Sequence, residues 1–294
     1  MRPKRHQSMY GKFNSNFHSH CTFCDGRNLP EDFVKAAIAN RFRAYGFSSH
    51  SPLPFETCWN MSKTDMPDYL AEIKRLKNQY AGDIELYLGL EIDYLDTSYN
   101  AAIPYFQSLP LDYSISSIHF LPSQHTPLNE NRVCIDGHYR DFETGLNSYF
   151  GGNIRRITDF FFETSMQMVE IGGFDIVGHI DKIYMNGIKH PGFDLQAGWY
   201  QKPFLQLLDL IAEKGCIVEI NCKNNVRKSQ TFPHITSYKE LRKRHIPVIV
   251  NSDCHQPDLI NDGREEALAL LQEAGYKVTT ELVNGTWQEV GIES

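Results

Sequence analysis

The stretch Ile246-Pro247-Val248-Ile249-Val250-Asn251-Ser252-Asp253-Cys254-His255 is an apolar, strand-like run that ends in two metal-type ligands spaced i, i+2. The same arrangement occurs twice more. The run Lys12–Phe17 leads into His18-Ser19-His20, and Phe174–Gly178 leads into His179-Ile180-Asp181. On a strand, residues i and i+2 point to one side. Each pair can therefore aim two side chains at one point from a stiff backbone. One such pair is common by chance. Three, each behind a strand-like run, point to one polynuclear metal centre built from distant parts of the chain.

Working outward, strand candidates end near His18, His50, Glu91, His119, His179, Asn221 and Asp253. Helix candidates lie between them. Pro30–Ala39 has Asn28 as N-cap and Pro30 near the first turn. Pro67–Gln79 carries Tyr69, Ile73 and Leu76 on one face. Arg156–Glu170 is apolar-rich, and Trp199–Lys214 stops before Gly215. Ser237-Tyr238-Lys239-Glu240 reads as a capping box, and Arg264–Ala274 ends at Gly275. This alternation indicates an α/β fold with a mainly parallel sheet, in a single domain over 1–294. Ligand-type residues at nearly every strand end favour a barrel, whose strand ends converge on one face. An open sheet would hold its edge strands too far apart. Residues 122–152 are polar and lack clear periodicity. They read as a loop insertion that follows His119 and covers the site.

The bulk properties fit this picture. The chain has 294 residues, 41% hydrophobic and 22% charged, enough for a core without staples. A formal net charge of −7 argues against nonspecific nucleic-acid binding. Seven scattered Cys, no secretory leader and no membrane-length apolar stretch give the expectation of a cytoplasmic protein with reduced thiols. No P-loop, dinucleotide-binding turn or esterase elbow is present.

The candidate metal ligands are His18, His20, Asp25, His50, Glu91, His119, His179, Asp253 and His255. Imidazole with carboxylate suits Zn, Mn or Fe rather than Ca or Mg. At three to four ligands per ion, the set suffices for about three cations. Glu91 can bridge two of them, and bridged metals clamp the oxygens of a phosphoryl group. Glu91, Asp253 and His255 are the expected catalytic residues. Taken singly, each candidate has a blander reading: a hydrogen-bonded strand-end His, a solvated Glu, or a turn residue for Asp25. Taken together at successive strand ends, the bland reading needs repeated coincidence. The motif Cys21-Thr22-Phe23-Cys24 has no second C-x-x-C to complete a zinc ribbon and reads as incidental. Arg155, Arg156, Lys182 and Arg227 are candidates for gripping phosphate, each more often a surface charge. Arg227, just past a strand end, has the best position, and Arg156 is retained beside it.

Phe17-His18-Ser19-His20, Tyr45-Gly46-Phe47-Ser48-Ser49-His50-Ser51-Pro52, Gly89-Leu90-Glu91, Ser117-Ile118-His119, Gly178-His179-Ile180-Asp181 and Ser252-Asp253-Cys254-His255 resemble, in order, the motifs of the PHP superfamily. Within it they look most like the monofunctional histidinol-phosphate phosphatases. The resemblance implies a distorted (βα)7 barrel with a trinuclear site. By analogy, His18, His20, Glu91 and Asp253 hold one metal, Glu91, His119 and His179 a second, and Asp25, His50 and His255 the third. It also implies phosphate-ester hydrolysis by a metal-bridging hydroxide, with L-histidinol phosphate as substrate in histidine biosynthesis. Two positions depart from the family pattern, where Asn16 and Ser49 replace a common Asp. The rival readings are a PHP-type hydrolase of another small phosphate ester or nucleotide, and a noncatalytic metal-binding protein. A histidinol phosphate pocket needs a cationic grip near the metals and acidic or aromatic groups farther out. Arg227 and the segment holding Asp136, His138 and Tyr139 are the candidates for these two ends. No membrane partner and no nucleic acid are expected.

Overall fold

The computed structural model describes residues 15–122, 132–223 and 231–292. In chain order the strands are β1 (Ser15–Asn16), β2 (Ala44–Phe47), β3 (Glu85–Asp93), β4 (Tyr113–Ser117), β5 (Phe120–Pro122), β6 (Arg132–Cys134), β7 (Ile176–Val177), β8 (Ile217–Asn221), β9 (Val248–Asn251), β10 (Val278–Val283) and β11 (Thr286–Gly291). The helices are α1 (Pro30–Ala39), α2 (Met66–Gln79), α3 (Pro104–Gln107), α4 (Tyr139–Phe150), α5 (Ile154–Ile171), α6 (Tyr184–Gly187), α7 (Gly198–Lys214), α8 (Tyr238–Lys243) and α9 (Arg264–Glu273). Seven strands form one sheet in the order β1-β2-β3-β4-β7-β8-β9, and every pairing in it is parallel. β2, β4, β8 and β9 are buried along their whole length, as a sheet covered on both faces requires. The helices supply the outer cover with apolar stripes such as Tyr200, Phe204, Leu207 and Ile211 of α7.

The sheet nearly closes on itself, and side chains make the seam between β1 and β9. Asn251 Oδ1 accepts from the Phe17 N–H, and Asn16 Oδ1 accepts from the Ser252 N–H, both at 2.9 Å. A parallel bridge between Ser19 and Cys254 continues the join. The buried guanidinium of Arg264 spans the same gap, donating to the carbonyls of Ser15 and Val250. Backbone groups at an open edge would otherwise be buried without partners. Inside the barrel, Phe17, Tyr87, Tyr113, Ile115, Ile176 and Ile249 pack together. Tyr113 reaches across to donate to the carbonyls of Phe17 and Phe47. A Cβ at Gly89 would lie 2.3 Å from its ring, so glycine there is a packing requirement. The β10–β11 hairpin closes the opposite end of the barrel with Leu282 and Trp287.

The structure departs from the sequence reading in several places. The sequence reading omits the C-terminal hairpin, although Asn284-Gly285 is a hairpin turn signal and both residues adopt the positive φ such a turn needs. Residues 122–152 are not all irregular: β5 and β6 pair as an antiparallel hairpin, and α4 begins after His138. Leu29, not Asn28, precedes α1 and makes no side-chain cap. Ser237 also makes no cap bond, since a 3-10 turn over Ile235–Ser237 leads into α8, with His234 accepting from the Thr236 N–H. Lys12 to Phe13 and the rest of the chain before Ser15 lie outside the described residues.

Candidate metal centre

The strand ends meet on one face around Glu91, near the C-terminal end of β3. This carboxylate is fully buried and its two oxygens face different groups. Oε1 lies 3.0 Å from His179 Nε2 and 3.6 Å from His119 Nε2. Oε2 lies 3.2 Å from His18 Nε2, 3.6 Å from His20 Nε2 and 2.8 Å from His50 Nδ1. Burial alone would raise the Glu91 pKa, but His18, His50, His119 and His179 outweigh it and hold the carboxyl well below its ordinary range. Asp253 sits next to this group, its Oδ1 3.2 Å from His20 Nε2 and 3.8 Å from His18 Nε2. Asp25 completes the cluster, with Oδ1 3.2 Å from His255 Nε2 and 3.8 Å from His50 Nε2.

All nine candidate ligands therefore lie in one cluster. Among the described residues, four overlapping groups could hold a metal ion. They are His20, Asp25, His50 and His255; His18, His20 and Asp253; His50, Asp93 and His119; and Glu91, His119 and His179. Two physical observations test the fit. First, His18 Nε2, His20 Nε2, His50 Nδ1, Glu91 Oε2 and Asp253 Oδ1 are buried without a hydrogen-bond partner among the described residues. Such atoms carry a desolvation cost unless something pairs them. Second, the donor spacings match an ion. Four donors around zinc at about 2.05 Å stand about 3.3 Å apart, and the contacts above run from 2.8 to 3.8 Å. Nitrogen with oxygen donors fits Zn, Mn or Fe.

The ligands are themselves held. His18 Nδ1 meets Glu219 Oε1 at 2.5 Å, and His119 Nδ1 meets Asp93 Oδ1 at 2.9 Å. Each contact fixes the ring so that Nε2 faces the centre. Glu219 is buried and also accepts from Asn251 and Asn221 side chains and the His179 N–H, so one carboxylate ties β1, β7, β8 and β9 together. His20 Nδ1 lies 3.5 Å from Cys24 Sγ, while neither cysteine of the C-x-x-C motif joins any of the four metal-type groups among the described residues.

The proposed i, i+2 strand pairs do not all hold. His179 has φ 22° and Asp253 has φ 50°, so the chain leaves the strand at these residues. Asp181 then turns away. Its Oδ2 accepts from the His234 N–H at 2.8 Å, and burial pushes its carboxyl up to about 8. It joins none of the metal-type groups.

Of the phosphate-gripping candidates, Arg227 lies outside the described residues. Arg156 is exposed on the first turn of α5, outside the cavity over the cluster. Lys182 is buried, with Nζ 3.7 Å from Asp136 Oδ2. Sequence reasoning missed Lys223, whose Nζ lies 3.2 Å from Asp253 Oδ1 and 3.4 Å from His255 Nε2. Its signal was the position two residues past the end of β8. Glu219 and Asp93 were also missed as supports, although each lies on a strand that ends at the centre. A cavity of about 220 Å³ opens over the cluster, lined by Trp59, Asp136 and Lys223 beside Asp25, His50 and His119.

Residues 16–223 match the PHP domain family. A "probable histidinol-phosphatase" of Deinococcus radiodurans is 23% identical over 275 residues, covering 90% of this chain and 94% of that protein. A histidinol-phosphatase of Bacillus subtilis is 24% identical over 258 residues, covering 81% and 92%. Among solved structures, the histidinol phosphate phosphatase of Lactococcus lactis, complexed with zinc, L-histidinol and phosphate, superposes with a TM-score of 0.72. It is 18% identical, with 94% of this chain and 98% of that one covered, which establishes the shared fold. Family match, barrel and ligand cluster agree: this chain belongs to the PHP domain family.

Proposed function

We propose that this protein is a metal-dependent phosphomonoesterase that hydrolyses L-histidinol phosphate to L-histidinol and phosphate, a step of histidine biosynthesis. The observation that carries the reading is the convergence of five buried imidazoles and the Asp253 and Asp25 carboxylates around Glu91. The names of the Deinococcus and Bacillus relatives, matched over most of their length, supply the substrate. His18, His20, Glu91 and Asp253 would hold one ion, Glu91, His119 and His179 a second, and Asp25, His50 and His255 a third. When bound, such ions activate water and offset charge on the phosphoryl oxygens. Glu91 holds two of these groups in register by dividing its oxygens between them. Glu219 and Asp93 keep His18 and His119 facing inward. Lys223, beside Asp253 and His255, supplies a cation for the substrate phosphate in a position related to that expected of Arg227.

The whole of 1–294 acts as one domain in this reading, and Cys134, Asp136 and Gly137 of the 122–152 segment line one side of the cavity, while residues 123–131 lie outside the described residues. All seven cysteines are free, and no helix among the described residues is long and apolar enough to cross a membrane. A cytoplasmic enzyme acting on a small phosphorylated substrate fits both observations. The test is purification without chelator, with metal content and histidinol phosphate hydrolysis measured on the same sample. Metal-replete protein inactive on histidinol phosphate but active on other phosphate esters would refute the substrate. Inactivity on all of them would favour a noncatalytic metal-binding role.

A further inference from the structure

Asp136 lies between β6 and α4 and lines the cavity over the ligand cluster. Its side chain is 20% exposed, and it belongs to none of the four metal-type groups. Asp25, the other carboxylate on the cavity wall, does belong to one. Among the described residues, the donor within hydrogen-bond distance of Asp136 is the Cys134 thiol, 3.5 Å from Oδ1. Lys182 Nζ at 3.7 Å and His119 Nε2 at 3.9 Å from Oδ2 are both beyond it. The Lys182 ammonium also lies 4.8 Å from the Phe232 ring centroid. Asp136 is thus a carboxylate facing a cavity with acceptor capacity to spare.

The cavity is polarised. Lys223 stands beside Asp253 and His255, and Asp136 stands beside His119. Trp59 supplies an apolar part of the same wall. Its indole stacks on Phe120 with ring centroids 5.5 Å apart and touches His50 and His119 edge-on. A substrate with phosphate at one end and a cation at the other matches this arrangement. The blander reading is that Asp136 only anchors Lys182 or Cys134. In that case its loss would affect phosphate and organic ligands alike.

The geometry points to Asp136 as the residue that receives the cationic amine of the leaving alcohol, with Trp59 as the wall for its planar ring. This rests on the phosphomonoesterase reading above and extends it to specificity. A phosphate ester of a neutral alcohol gains nothing from Asp136. An ester bearing a second carboxylate is repelled by it.

The test uses metal-replete enzyme prepared without chelator, with p-nitrophenyl phosphate as reporter substrate. L-histidinol and inorganic phosphate are compared as inhibitors of the parent, Asp136→Asn and Asp136→Glu, and metal content is measured for each. A charge-assisted hydrogen bond is worth about tenfold to a hundredfold in affinity. The ratio of the L-histidinol to the phosphate inhibition constant should therefore rise about tenfold or more in Asp136→Asn. Asp136→Glu should restore part of the difference. An unchanged ratio in Asp136→Asn overturns the assignment, and so does a loss of bound metal in that variant, which would make Asp136 a ligand. If the parent cleaves the reporter but neither cleaves histidinol phosphate nor is inhibited by L-histidinol, the functional reading itself fails and this inference falls with it. An intact parent response with an unchanged ratio removes the Asp136 assignment alone.

Discussion

Glu219 Oε1 lies 2.5 Å from His18 Nδ1, and both side chains are fully buried. The contact holds the imidazole with Nε2 toward Glu91 and Asp253. Burial favours the neutral forms of both groups, yet His18 is held well above its ordinary pKa by Glu219, Glu91 and Asp253 together, and Glu219 is held below its own. Glu219→Gln keeps the shape and removes the charge. Loss of such a support costs about 10–100-fold in metal affinity. The measurement is competition with a chelator of known affinity at fixed pH, with circular dichroism to verify the fold. An unchanged metal affinity would show that Glu219 serves packing only.

Glu91 faces five imidazoles with two oxygens. Glu91→Gln leaves the volume but cannot balance cations on both sides. Turnover should fall on the order of a thousandfold, equivalent to ~4 kcal/mol. Full activity in a variant shown by elemental analysis to carry the parental metal content would rule out a bridging role.

Removing metal should destabilise the protein. Buried ligand atoms such as His20 Nε2 and Asp253 Oδ1 meet mainly other charged groups of the cluster, at 3.2 Å from one another. A ligand that binds only the folded state adds about 2.7 kcal/mol at a hundred times its Kd. Chelator-treated protein should therefore melt at a lower temperature, and the midpoint should climb as zinc is titrated back. Identical melting of metal-free and metal-replete samples would contradict the ligand assignment.

The seam of the barrel gives a prediction about stability. Asn251 accepts from the Phe17 N–H and donates to Glu219 Oε1 at 3.0 Å. Asn251→Ala leaves a buried N–H unpaired and takes a donor from Glu219. The cost should be about 1–3 kcal/mol, read from the denaturant midpoint at constant slope. A change under about 0.5 kcal/mol, the range of an ordinary surface substitution, would mean that the Asn16–Ser252 bond, the Ser19–Cys254 bridge and Arg264 close the seam without Asn251.

The sequence by itself determined the alternation of strands and helices and the residues at which the strands end. His18, His50, Glu91, His119, His179 and Asp253 stood out because a strand-like run ending in a polar ligand is a local pattern. The parallel barrel followed from it, since only closure brings that many strand ends to one point. Tertiary structure decided what local pattern cannot carry. Asp181 has the same i, i+2 spacing as His20 and His255, but positive φ at His179 turns it toward His234. Glu219 looked like any strand carboxylate until β1 brought His18 against it, 201 positions away in the chain. Lys223 and Asp136 come to line one cavity only when β8 and the β6–α4 connection are packed around the same centre. Such pairings depend on distances between remote residues, and these exist only in the folded chain.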